Sequence, residues 1–271
     1  ETNLRAQKAE LLGYKDWASY VMTSRMAQTT ENVYGILDDL APKAVEKAKI
    51  EAAAIQKVIN DSGESFELKP WDWAFYAEKV RAEKYDLDPA LVKPYFEMSS
   101  VINDGLFFAM NKLYGITFKE RQDLPVYHED VTVYEVFNAD GSAIGLFYMD
   151  PYAREGKRGG AWMSAYVSQS GLKGTKPVIY NAQNIPKPAE GEPTLMTFDE
   201  VSTMFHEFGH AAHGLFSDVK YPSLAGTATA RDFVEFPSQA HEDWMIEPSV
   251  LANYAKHYKT GEPIPQALLD K

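Results

Sequence analysis

From Thr197 to Leu215, apolar residues recur at helical spacing with ionisable residues set between them, and no other segment constrains the fold as much. Val201, Met204, Phe205, Phe208, Ala212 and Leu215 fall on one face of an α-helix, while His206, Glu207, His210 and His213 lie on the opposite side. Thr197 followed by Glu200 forms a capping-box signature, and Asp199 places negative charge in the first turn, where the helix dipole favours it. Such a helix needs a core to receive its apolar face. A chain of 271 residues is long enough to build one, as a single large domain or two smaller ones.

His206, Glu207, Phe208, Gly209 and His210 spell HExxH. Histidines four residues apart lie one turn apart on a helix, roughly 6 Å, so both imidazoles can reach one metal ion at ~2.0–2.1 Å. Glu207 sits about 100° round the helix from His206, beside the metal and towards the open position where water binds, so it can take a proton from that water. A chance match on a solvated helix face is the competing explanation, and such a face would more usually carry Lys and Arg than three histidines. Since the chain has no cysteine, thiolate ligands are excluded and a zinc site must use His and carboxylate groups.

A catalytic zinc takes three protein ligands and keeps one position for water. His213 lies about 10.5 Å along the axis from His206, too far to share a metal that His210 already binds, and reads as a structural histidine or a partner of a ligand. The pattern with a third histidine ten residues after the first fails, because Phe216 stands there. Glu235 and His241 remain, both on a helix expected over residues 232–245. Asp232 and Gln239 share the face of Glu235 and could orient it, though Asp232 could equally cap the helix start.

Elsewhere the chain divides into a helical region, 1–120, and a region of small sheet plus metal-binding helices, 121–271. Val33, Ile36, Leu37 and Leu40, then Val45, Ala48, Ala52, Ile55 and Ile59 beyond Pro42, predict a helical hairpin broken at the proline. Further helices are expected over 71–84 and 89–114, the latter divided near Pro94. The aromatic run Trp71, Trp73, Phe75 and Tyr76 reads as core. Val131–Phe137 and Ala143–Met149 flank Asn138–Gly141 as a hairpin, Val178–Tyr180 is a third strand, and 154–160 is a glycine-bearing loop. A formal charge of −12 argues against nucleic acid or an anionic membrane surface as partner.

The segments HEFGHAAHGLF at 206–216 and GTATARDFVEFPSQ at 226–239 resemble the thimet oligopeptidase family, most of all its bacterial peptidyl-dipeptidases. The likeness continues through PWDWAFYAEKVR at 70–81, PYFEM at 94–98, PVYHEDV at 125–131, GGAWM at 159–163 and PVIYNAQN at 177–184. It implies a mainly α fold with a small β-sheet, of the helical zincin type. It also implies one zinc held by His206, His210 and Glu235, with Glu207 as the catalytic base. The strand Val178–Tyr180 is, by the same resemblance, an edge that pairs with an extended peptide. Implied substrates are short peptides cut near the C-terminus to release dipeptides.

The chain lacks an initiator Met and ends in PIPQALLDK, which resembles the first turn of an unfinished helix, so an internal piece of a longer protein is expected. Family members continue past this point with residues that stabilise the transition state. The competing reading is therefore a metal- and peptide-binding fragment of weak activity, with the downstream part of the same protein as its partner. None of Tyr152, Tyr166, Tyr180 and Tyr221 is expected to stand over the metal's open position. With no signal-peptide pattern and no apolar run of spanning length, the cytoplasm is the expected compartment, the periplasm staying open.

Overall fold

The computed structural model describes residues 1–85 and 89–270, and these two stretches form two compact units. The first unit contains helices α1 (Thr2–Leu11), α2 (Trp17–Met22), α3 (Thr30–Asp61) and α4 (Trp73–Tyr85). The helical hairpin expected at Pro42 is instead the single 32-residue helix α3. Proline lacks the N–H that would bond the Asp38 carbonyl. Both residues are exposed, so water can satisfy that carbonyl and the helix runs through. Thr29 caps its start by accepting from the Asn32 amide, and Ile55 and Ile59 near its end pack with Tyr76 of α4.

The aromatic run is only partly core. Tyr76 is buried and Trp73 packs against its cluster, whereas Trp71 and Phe75 are 79% and 62% exposed. Neighbouring helical residues point about 100° apart, so Trp73, Phe75 and Tyr76 of α4 cannot all turn inward, while Trp71 lies in the turn before the helix.

The second unit opens with two 3₁₀ turns, Pro89–Leu91 and Lys93–Tyr95, then a helix made of α5 (Met98–Ser100), a π-helical stretch Val101–Phe107 and α6 (Phe108–Tyr114). The division near Pro94 is therefore present. Five strands follow: β1 (Thr117–Glu120), β2 (Thr132–Phe137), β3 (Ala143–Tyr152), β4 (Trp162–Val167) and β5 (Val178–Ile185), in the order β1-β2-β3-β5-β4. The β2–β3 hairpin matches expectation, and Gly141 adopts the left-handed φ of 82° that its turn requires. The expected edge strand is corrected. Val178–Tyr180 belongs to β5, which is paired parallel to β3 on one side and antiparallel to β4 on the other, so β4 is the outer strand.

Next come α7 (Phe198–Leu215), α8 (Glu235–Glu242), α9 (Pro248–Tyr254) and α10 (Gln266–Leu269). The architecture is mainly α with one small mixed sheet. Phe205, Phe208 and Leu215 of α7 are buried with Phe147 of β3 and Ile179 of β5, and the Phe208 ring meets Phe147 edge-on at 5.1 Å between centroids. Burying each such ring stabilises the unit by about 1.5–3 kcal/mol, which fixes α7 and thereby its other face. No helix among the described residues is long and apolar enough to cross a membrane.

Candidate metal centre

The start of α7 is capped as its sequence predicts. Thr197 Oγ1 accepts from the Glu200 amide at 3.1 Å, and Glu200 Oε2 accepts from the Thr197 amide at 2.7 Å. The polar side of α7 is less wet than a surface helix would be, with Glu207 and His210 only 6% and 8% exposed. α8 covers it.

Gly209 allows that close approach. A Cβ built on it would lie 2.7 Å from Ser238 Cα, too near for any side chain unless the helices part. Gly209→Ala is therefore expected to push α8 off α7, costing about 1–3 kcal/mol in denaturant unfolding and weakening any metal binding that needs residues of both helices. Unchanged stability in denaturant unfolding would refute this account of the crossing.

Glu235 opens α8, later than the expected start at 232; residues 231–234 form a turn instead. Val234 occupies the N-cap position, so Asp232 does not cap the helix. His206 Nε2 lies 3.2 Å and His210 Nε2 3.1 Å from Glu235 Oε2, and the donor atoms of the three residues fall within 4.8 Å of one another. The structure thus brings together His206, His210 and Glu235 and leaves His241 out. Nδ1 of His241 donates to the Pro237 carbonyl at 2.6 Å, and its Nε2 faces the Tyr114 hydroxyl at 3.2 Å.

Two supporting contacts were not foreseen from sequence. Glu242 Oε1 is 2.6 Å from His206 Nδ1, which holds the proton there and leaves the Nε2 lone pair directed at the cluster. Ser238 Oγ shares its proton between the Glu235 carbonyl at 2.9 Å and Glu235 Oε2 at 3.0 Å, which places it beside that carboxylate. Ser238 and Glu242 follow Glu235 by three and seven residues, so the helical face was visible in the sequence, but its crossing with α7 was not.

A cleft of about 790 Å³ opens at this cluster, lined by Ala161–Met163 of the β4 side, by Thr227, Thr229, Arg231 and Val234, and by His206, Glu207, His210 and Glu235. None of Tyr152, Tyr166, Tyr180 and Tyr221 is among its lining residues. Tyr152 is hydrogen-bonded to Thr194 at 2.7 Å, and Tyr180 accepts from Trp162 at 3.4 Å. Burial pushes the Glu207 carboxyl up to about 7, against the pull of His206. Burial also holds His210 below the usual imidazole range, which favours the neutral, ligating form. A second cavity, about 690 Å³, lies behind α7 and carries His213 and His241 but no three-residue ligand cluster among the described residues.

The donor set suits a divalent zinc-type ion: two imidazole nitrogens and a carboxylate oxygen converge, and Glu207 Oε2 is buried with no hydrogen-bond partner.

The model of peptidase family M3 matches residues 1–271. The chain belongs to peptidase family M3. Among its curated M3 relatives, dipeptidyl carboxypeptidase of Escherichia coli (strain K12) is 51% identical over 268 residues, and that of Salmonella typhimurium 47% identical over 268 residues. Oligopeptidase A of Escherichia coli is 40% identical over 272 residues. Each comparison covers 99% of this chain but only 39% or 40% of the relative, so the chain spans about two fifths of the length of the M3 proteins it matches.

Proposed function

We propose that this chain carries the zinc ligands and the general base of a helical zincin-type peptidyl-dipeptidase, with His206, His210 and Glu235 holding one zinc and Glu207 serving as base. The observation that carries the reading is the convergence of those three ligand groups beside a buried carboxylate oxygen with no partner. When bound, the metal supplies Lewis-acid polarisation of a peptide carbonyl and makes water more acidic. Glu207 accepts the proton of the attacking water and returns it to the leaving amine, so no acyl-enzyme on Ser or Cys is involved. Glu242 keeps the His206 proton on Nδ1, and Ser238 lies beside the Glu235 carboxylate. The outer strand β4, whose first residues line the cleft, offers free backbone groups to an extended peptide.

Release of C-terminal dipeptides is favoured over internal cleavage by the higher identity to the dipeptidyl carboxypeptidases than to oligopeptidase A. The test is metal analysis together with mass spectrometry of products from short peptides, on this chain and on the longer protein that contains it. About one zinc per chain and successive C-terminal dipeptides are expected. Internal cuts would move the assignment to an oligopeptidase. Zinc bound without any product would leave the binding-module reading, which the chain's two-fifths coverage of its relatives keeps in play.

A further inference from the structure

Outside the ligand cluster, the turn between β3 and β4 is tied down at both ends. Asp150, 2% exposed near the end of β3, accepts from the Arg154 guanidinium at 2.6 and 2.8 Å and from the Tyr127 hydroxyl at 2.9 Å. Lys157 reaches back into the same place. Its Nζ donates to Asp150 Oδ1 at 3.0 Å and to the carbonyls of Asp150 and Tyr152 at 2.9 and 2.7 Å, with its side chain 3% exposed. At the far end of the turn, Asn184 of β5 donates through Nδ2 to the carbonyls of Arg158 at 2.9 Å and Gly160 at 2.6 Å.

Burial raises the Asp150 carboxyl, but the bonds from Arg154, Lys157 and Tyr127 outweigh it and hold the group below the usual carboxylate range. Burying an ammonium and a carboxylate in this way costs more than their attraction alone readily returns. What the arrangement achieves is placement. The turn runs directly into Ala161, Trp162 and Met163, which form one wall of the cleft, and the Arg158 guanidinium lies 4.8 Å from the Trp162 ring centroid.

We infer that Asp150, Lys157 and Asn184 are positioning residues for peptide binding: they clamp the turn over residues 153–160 and so hold Ala161–Met163 at a fixed place along the cleft wall. The inference rests on the cleft being a peptide-hydrolysing site. The clamp touches no proposed metal ligand, so releasing it should change peptide affinity and leave zinc affinity alone. A role in general stability would move both.

The variants are Lys157→Met, which leaves Asp150 bonded to Arg154 and Tyr127, and Asn184→Ala, which frees the opposite end. Each is made in the zinc-loaded full chain with Glu207→Gln, so that an N-acetylated hexapeptide is bound without turnover. Calorimetry is expected to show peptide Kd raised about tenfold, the effect of losing one or two net hydrogen bonds, with zinc Kd within about twofold. Limited trypsin digestion supplies a readout independent of the site's chemistry: cleavage after Arg154 and Arg158 should accelerate about tenfold in either variant. Unchanged peptide Kd with unchanged cleavage overturns the inference, as does a parallel loss of zinc and peptide. If the parent binds neither zinc nor peptide, the reading of the cleft itself fails. Faster cleavage in the variants would then still establish the clamp on the turn, and unchanged cleavage would overturn that as well.

Discussion

Glu235→Ala is expected to abolish stoichiometric zinc binding, while His241→Ala retains about one zinc per chain. The two residues were level by spacing, and the structure separates them by what their polar atoms face. Glu235 Oε2 is 3.1 and 3.2 Å from the two imidazole Nε2 atoms, whereas both nitrogens of His241 are engaged with Pro237 and Tyr114. Losing one of three ligands should weaken binding well beyond the roughly 10–100-fold that loss of an outer partner costs. Glu242→Gln supplies that internal standard, since it alters only the contact to His206 Nδ1. Equal zinc loss from Glu235→Ala and His241→Ala would overturn the ligand choice.

Glu207→Gln should reduce peptide hydrolysis by the longer protein by about 10²–10⁴-fold while zinc stays bound, because the amide keeps the shape of the carboxylate but cannot accept the proton of water. Stability gives a second, opposite readout. With its carboxyl raised to about 7, the metal-free folded chain binds more protons than the unfolded chain between about pH 4.5 and 7, so wild-type stability declines as pH rises through that window. The amide does not titrate. Metal-free Glu207→Gln should therefore be the more stable protein above pH 7, by up to about 3 kcal/mol, and the difference should close near pH 4. Full activity in the variant would remove Glu207 from the base role, and zinc loss would make it a ligand or a structural support.

Legibility in the sequence followed the range of the interaction. The cap of α7 was readable because Thr197 and Glu200 act within one turn, and the His pair because four residues make one turn whatever packs above it. Glu235 needed the family resemblance, since its distance to the histidines depends on a helix crossing that spacing cannot give. Ser238, Glu242 and the fit of Gly209 beneath α8 belong to that same crossing. The edge assigned to Val178–Tyr180 came from the resemblance rather than from the residues, and β4, with Ser164 and Ala165 in its middle, gave no strand signal strong enough to place it outside β5. Pro42 was read as the first turn of a second helix, a position that proline suits, whereas it lies inside α3, where the exposed Asp38 carbonyl can be satisfied by water.

The two helices that meet at Gly209 are joined by residues 216–234, which include a 3₁₀ turn at Pro222–Leu224. A cation bridging them would close a short loop, and closing a loop removes configurational freedom from the unfolded chain. Its binding energy would be spent on one cooperative unit, α7 and α8, while the sheet and α3 gain little. Chelation should then act as a local melting agent. Amide exchange would quicken in α8 and the turn before it, the buried side of α7 would stay protected by its contacts with β3 and β5, and apoprotein would differ from holoprotein in the order of one helix.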